Sequence, residues 1–340
     1  MSTLTAIKSA IHIPWANEFP QMRFRNFEGP ADYPGIVQVI QKCMQADQIK
    51  NVITLQDLET FFKHLNNCDP YRDLLLVENE TGLLAYLRMD WQEQSTGERI
   101  YRWILNVAPE VRKNGLEPRM LQYAETHLRK IAMDHPNGSG KFFEMGVDEK
   151  EIDKKSLLED ADYQPDRYFF EMSRDLKDPM PEAPMADGIQ VRPAKPEHYR
   201  SIWNALDDAF QDHWGHREHT EKDYQGWINN RWFQPHLWKV AWEGDEVVGT
   251  VLSYIDEIEN ETFHRKRGYT EDICVRRLWR RRGIARSLLV QSMQEFKDMG
   301  MEETALGVDT QNPNGALRLY LGVGYHRERC HIVYRKGLTP

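Results

Sequence analysis

The sequence predicts an α+β protein built from two tandem, related domains, each a mixed, mostly antiparallel twisted sheet flanked by helices. Three observations carry this. Residues 177–188, KDPMPEAPMADG, hold three prolines and little that could enter a core, which is the composition of a linker. Segments on its two sides resemble each other in the same order. One pair, 104–121 and 272–289, aligns without gaps and sets Gly115 opposite Gly283; an internal repeat of this kind decides the architecture ahead of any local reading. The expected division is a domain over 1–176, a linker over 177–188 and a domain over 189–340.

Each half opens on a short strand leading into a helix, MRFRNFEGPADY (22–33) and IQVRPAKPEHY (189–199). A hairpin follows in LLLVENETGLLAYL (74–87) and LWKVAWEGDEVVGTVL (237–252): an apolar run, a polar or glycine turn, and a second apolar run. Next comes ILNVAPEVRKNGLEPRML (104–121) over DICVRRLWRRRGIARSLL (272–289), a strand, a glycine turn and a helix. After a further strand and helix, the halves close on DYQPDRYFFEMSRDL (162–176) and GYHRERCHIVYRKGL (324–338).

Of the 340 residues, 40% are hydrophobic and 29% charged, so each half is long enough to bury its own core. No run of ~18 apolar residues occurs, and no membrane span is expected. The N-terminus, MSTLTAIKSAIHIPWANEF, has a short apolar patch broken by Pro14 and Asn17, unlike a secretion signal. Cys43, Cys68, Cys274 and Cys330 form no CxxC pair, as befits free thiols in a reducing, cytoplasmic setting. The net charge of −9 repels phosphate backbones; it argues against nucleic acid and suits a cationic small molecule.

The second glycine turn carries the chemistry. The strand TEDICV (270–275) runs into Arg276, Arg277, Leu278, Trp279, Arg280, Arg281, Arg282 and Gly283. A helix follows, with Ile284, Leu288, Leu289, Met293 and Phe296 at a spacing near 3.6 and Gly300 as its C-cap. A strand, a glycine turn and a helix N-terminus make an anion site, because free backbone N–H groups and the helix dipole both favour negative charge. Gly283 and Ala285 let a diphosphate approach the backbone, and Arg280, Arg281, Arg282 and Arg286 add positive charge. A solvated basic turn would show the same residues.

This segment resembles the acetyl-CoA-binding motif of the GNAT superfamily (GCN5-related N-acetyltransferases), Gln/Arg-x-x-Gly-x-Gly/Ala, with Arg280, Gly283 and Ala285 matching. The family's next motif follows in ETALGVDT (303–310) and NPNGALRLYLGVGY (312–325), with Asn312, Ala316, Leu319, Tyr320, Gly324 and Tyr325; Tyr325 stands where Phe is commoner. The resemblance covers 189–338 well and 22–176 faintly, and the duplicated layout is similar to that of mycothiol synthase and other tandem members. It implies an N-acetyltransferase in which a substrate amine attacks the thioester of acetyl-CoA directly. The pantetheine arm is then expected along Cys274, Val275 and Arg276, with the Val275 region offering a backbone N–H to the oxyanion. Ile284 belongs to the turn that cradles the diphosphate.

Within that frame, Tyr320 shares a helix face with Ala316 and is the candidate acid for the leaving thiolate, because a phenol stays protonated at neutral pH. A core tyrosine beside Leu317 and Leu321 is the plain alternative. Glu271 is the candidate base; it also reads as an ordinary strand carboxylate, while Asp272 points the other way if the strand is regular. Cys274 reads as a buried strand cysteine. On the acceptor side, Trp203, Phe210, Trp214, Tyr224, Trp227, Trp232, Phe233, Trp238 and Trp242 lie among Asp207, Asp208 and Asp212. Such walls suit a small-molecule amine carried on an apolar or sugar body. His213, His216 and His219 lack a carboxylate at ligand spacing, so no metal is expected.

In the first half, Glu117 stands where the second has Ala285, Pro118 follows, and Leu158 matches Tyr320. No catalysis is expected there. The rival class is an acyl-CoA-binding sensor without turnover, against which Tyr320 argues. Monomer and homodimer are both compatible with the sequence.

Overall fold

The computed structural model describes residues 13–338, so the reading of the N-terminal segment rests partly on residues outside it. In the first half, β1 (Arg23–Asn26) leads into α1 (Tyr33–Ala46), α2 (Leu55–Lys63) and α3 (Pro70–Asp73). The hairpin β2 (Leu74–Asn79) and β3 (Gly82–Glu93) is followed by β4 (Arg99–Val107), α4 (Leu116–Met133), β5 (Lys141–Asp148), α5 (Ile152–Asp160) and β6 (Gln164–Asp175). The second half repeats the series: β7 (Gln190–Arg192), α6 (Tyr199–Phe210), α7 (Glu221–Asn229), β8 (Lys239–Glu243), β9 (Glu246–Tyr254), then α8 (Glu257–Phe263) and β10 (Arg267–Val275). It ends with α9 (Ile284–Asp298), β11 (Glu303–Asp309), α10 (Ala316–Leu321) and β12 (His326–Gly337). Residues 177–188 carry neither helix nor strand.

Two features exceed the sequence expectation. Each half has a second helix before its hairpin, α2 or α7, and both begin on the same capping box: Thr54 with Asp57, and Thr220 with Asp223. The reciprocal bonds satisfy N–H groups that a nine-residue helix would otherwise leave free. The second half also inserts α8 between β9 and β10, where β3 turns directly into β4.

Among the described residues twelve strands form one sheet, in the order β1-β2-β3-β4-β5-β12-β6-β11-β10-β9-β8-β7. The halves exchange their last strands. β12 pairs with β5 of the first half, β6 pairs with β11 of the second, and β6 and β12 pair with each other at the centre. The apolar faces follow: Cys330, Ile332 and Tyr334 of β12 enter the first-half core, while Met172 of β6 packs with Phe296, Leu306 and Tyr320. A buried guanidinium closes the seam, Arg267 meeting Glu303, Glu171 and Glu328. Pairing with three carboxylates supplies the hydrogen bonds a buried arginine requires.

β10 and β11 are parallel and pair only over Arg267–Tyr269 and Glu303–Ala305. Beyond that point they have no mutual pairing, and the candidate site forms in this opening.

Candidate active site

β10 is not regular where it matters. Glu271 pairs with Leu252 and Cys274 with Thr250, so Asp272 and Ile273 together oppose one residue of β9, and Asp272 has φ +46°. This β-bulge re-aims the side chains beside it. The strand is therefore not regular here, yet Glu271 and Asp272 still face different ways. The Glu271 carboxylate accepts the Gly307 N–H of β11 at 3.0 Å, whereas Asp272 opens into a cavity on the acceptor side.

Arg281 and Gly283 both adopt left-handed φ, +63° and +81°, which bends the chain from the strand end into the first turn of α9. A cavity of about 290 Å³ follows this bend. Val275, Cys274 and Ile273 of β10 form one side of it. Arg281, Gly283, Ile284, Ala285 and Arg286 form the turn side, and Asn312, Ala316, Leu319 and Tyr320 the third. Asn312 shapes its loop by accepting the Asn314 N–H at 2.8 Å.

The arginines sort by geometry. Arg280 lines the cavity but is already committed: it donates to the carbonyls of Val275 and Ala209, each at 3.0 Å, and to Asp212 at 2.9 Å. Arg276 and Arg282, expected at the cofactor, do not line the cavity. Arg276 pairs with Asp208 and Glu246, and Arg282 reaches Glu243 and the Asp187 carbonyl. Consecutive residues in a short turn cannot all face one ligand.

Tyr320 is 5% exposed, its hydroxyl takes no hydrogen bond among the described residues, and burial together with the Glu271 charge pushes its pKa well above the ordinary phenol value. Glu271 is half-buried; desolvation, then the Asp272 charge, raises its carboxyl to about 8 despite the Gly307 N–H. Asp272 is pushed up to about 6 by desolvation, but its open face to solvent screens it, so Glu271 is the more firmly perturbed of the two. Burial pushes the Cys274 thiol up to about 12, which leaves it neutral and bonded to Thr250 Oγ1 at 3.2 Å. That speaks against a cysteine nucleophile.

A second cavity of about 480 Å³ meets the first at Phe210 and His213. Trp203, Trp214, Trp227, Asp207 and Asp272 line it. Trp238 and Trp242, counted among the acceptor aromatics from sequence, are instead buried core residues, and Asp208 and Asp212 serve the arginines. The far wall was not foreseen: Gln92, Gln94, Arg102 and Glu144 come from the first half. No local sequence signal marks them, because the fused sheet alone brings them there.

The first half keeps the same bend. Arg112 donates to the Val107 carbonyl at 3.0 Å and clamps Asp47, as Arg280 does with Val275 and Asp212. Lys113 and Gly115 have φ +62° and +90°. Retention of the arginine brace in both halves makes it a feature of the turn's architecture. What differs is Glu117, whose carboxylate accepts the Lys113 N–H at 3.2 Å, so the turn is supplied with an anion by its own helix. Leu158, at the Tyr320 position, is fully buried in the first-half core. Leu158→Ala should lower stability by about 2–5 kcal/mol without changing kcat of the folded enzyme, read by denaturant unfolding beside steady-state rates.

The Acetyltransferase (GNAT) family profile matches residues 199–325. Mycothiol acetyltransferase of Salinispora tropica is 26% identical over 185 residues, which is 54% of this chain but only 59% of that protein's length. Its counterpart from Geodermatophilus obscurus is 22% identical over 312 residues, 90% of this chain and 95% of that one. A GCN5-related N-acetyltransferase from Sphaerobacter thermophilus superposes with a TM-score of 0.69 at 25% identity, covering 94% of this chain and 96% of that one. A tandem GNAT protein from the clavulanic acid biosynthesis pathway gives 0.62 at 12%, covering 94% and 99%. Among the described residues no helix is long and apolar enough to cross a membrane.

Proposed function

This chain belongs to the GNAT family of acetyltransferases through its C-terminal half, and from that premise we propose that it transfers the acetyl group of acetyl-CoA to the primary amine of a small molecule, in the C-terminal half. One observation carries the reading: a single cavity runs from the Gly283 turn to Tyr320 and touches the acceptor cavity at Phe210 and His213. The turn N–H groups, with Arg281 and Arg286, would hold the diphosphate. The cavity edge at Val275 would supply the oxyanion donor.

Glu271 lines neither cavity and takes the amine proton through water. A carboxyl held near 8 is a far better base than an ordinary one, because its conjugate acid lies close to neutral pH. Glu271→Gln should reduce turnover by ~10²-fold or more. In the unaltered enzyme, kcat/KM should climb as pH rises through about 8, and that limb should vanish in the variant.

Stability gives an independent check. The folded carboxyl sits above its ordinary 4.5. The stability it lends is therefore complete below pH 4.5 and is lost as pH rises through about 8. The variant lacks that loss, so its Tm relative to the parent should increase between pH 5 and pH 9. A pH-independent Tm difference, with the rate limb intact, would remove Glu271 from the mechanism.

A further inference from the structure

Asp207, His216 and His219 form a group to which the proposed reaction assigns no chemical role. Their ligand atoms lie within 4.8 Å of one another, at one end of the acceptor cavity. The sequence offered no carboxylate at ligand spacing. The fold supplies one from a different element, because Asp207 sits on α6 while both histidines lie in the 211–220 loop. His213 is not part of the group; its Nδ1 lies 3.0 Å from the Trp214 carbonyl and it stands where the two cavities meet.

We propose that these three residues form a binding site for a divalent transition ion of the kind that favours imidazole, Zn2+ or Co2+. Two imidazoles and a carboxylate are the donor set of such ions, and a fourth position is left open toward the cavity. The spacing supports it. His216 Nε2 stands 3.5 Å from Asp207 Oδ1, long for a hydrogen bond. Donors on one tetrahedral ion with bonds of about 2.0–2.2 Å lie about 3.3–3.6 Å apart. His219 Nδ1, now 2.6 Å from the same oxygen, need withdraw by less than about 1 Å to match.

The histidines are also held for the task. Ser95 Oγ lies 2.7 Å from His216 Nδ1. When Nδ1 donates to that oxygen, Nε2 presents its lone pair to the Asp207 carboxylate, an arrangement that a cation between them resolves. The Ser95 N–H fixes the same loop by donating to the His216 carbonyl at 2.8 Å. His216 is only 9% exposed at its side chain, and Trp203 stacks edgewise on His219 at 5.2 Å. All three residues line the acceptor cavity, so a donor atom of the acceptor would complete the coordination.

The inference does not depend on the acetyltransferase reading, because its test measures binding. The metal-free chain, prepared with a chelator, is titrated with Zn2+ by calorimetry and with Co2+ by visible absorption. A single ion per chain is expected, with the intense visible bands of a tetrahedral Co2+ centre. Asp207→Ala and His219→Ala should each weaken binding 100-fold or more, and Ser95→Ala by about 10-fold. His198→Ala, outside the group, is the control; thermal melts and circular dichroism confirm that each variant is folded. Absence of a bound ion, or equal affinity in an Asp207→Ala, His219→Ala double variant, overturns the proposal and leaves a triad held by hydrogen bonds alone.

Discussion

Replacing Tyr320 with phenylalanine should lower kcat by about 10²-fold or more while leaving acetyl-CoA affinity nearly unchanged. The ring is 5% exposed and packs in the core with Val323 and Tyr325, so phenylalanine keeps the volume and the contacts. Only the hydroxyl goes, and among the described residues it holds no hydrogen bond that the substitution would break. Burial pushes this phenol well above its ordinary pKa, which at first sight makes it a poor acid. The same burial penalises an unprotonated thiolate in that cavity, so the proton still has somewhere to go as the carbon–sulfur bond breaks. The effect should fall on kcat rather than KM, since the hydroxyl acts only as charge develops. Steady-state kinetics with an identified amine, beside calorimetric titration with acetyl-CoA, separates these quantities. Full turnover in the variant would assign Tyr320 to the core alone.

Gly283→Glu should abolish measurable acetyl-CoA binding. The new carboxylate would start from a residue that lines the cavity, with open space around its Cβ. It would stand beside the N–H groups proposed for the diphosphate, so like charges would compete for one seat. The first half already displays this outcome in Glu117, whose carboxylate bonds into the equivalent turn. Gly283 has φ +81°, so any side chain there also adds about 1–2 kcal/mol of backbone strain. Gly283→Ala carries the strain without the charge and should bind acetyl-CoA within about tenfold of the parent. Equal losses in the two variants would mean that backbone distortion, not charge, destroys the site.

The legible parts of this molecule are those in which a residue type is forced by local backbone or by chemistry. A glycine in a left-handed turn at a strand–helix junction is visible because few other residues tolerate that φ, and Gly115 and Gly283 together disclosed the repeat. Tyr320 was singled out by the family motif, and helical spacing puts it beside Ala316, with which it lines the same cavity. The strand exchange was not, since β6 and β12 keep the same alternation whichever neighbour they pair with, and backbone hydrogen bonds carry no sequence label. Arg276, Arg280 and Arg282 looked equivalent in a run of arginines; only the bend assigns the first and last to Asp208 and Glu243. The bulge at Asp272 and Ile273 was not legible, although Glu271 and Asp272 face different ways as neighbours on a strand would. His216 and His219 could not be joined to Asp207 by counting residues, because the chain between them is a loop.

The central claim is that acetyl transfer to an amine occurs in the C-terminal half. Thiol release from acetyl-CoA, measured across a panel of small primary amines for the parent chain and for a Tyr320→Phe, Gly283→Glu double variant, tests it most directly. The account predicts release that requires an amine, is matched by N-acetylated product and disappears in the double variant. Absence of release from the parent with every amine would point to a binding protein without turnover, amine-independent release would mean transfer of the acetyl group to water, and appreciable release by the double variant, sensitive to a change at Gly115, would place a working site in the first half; each would contradict the account.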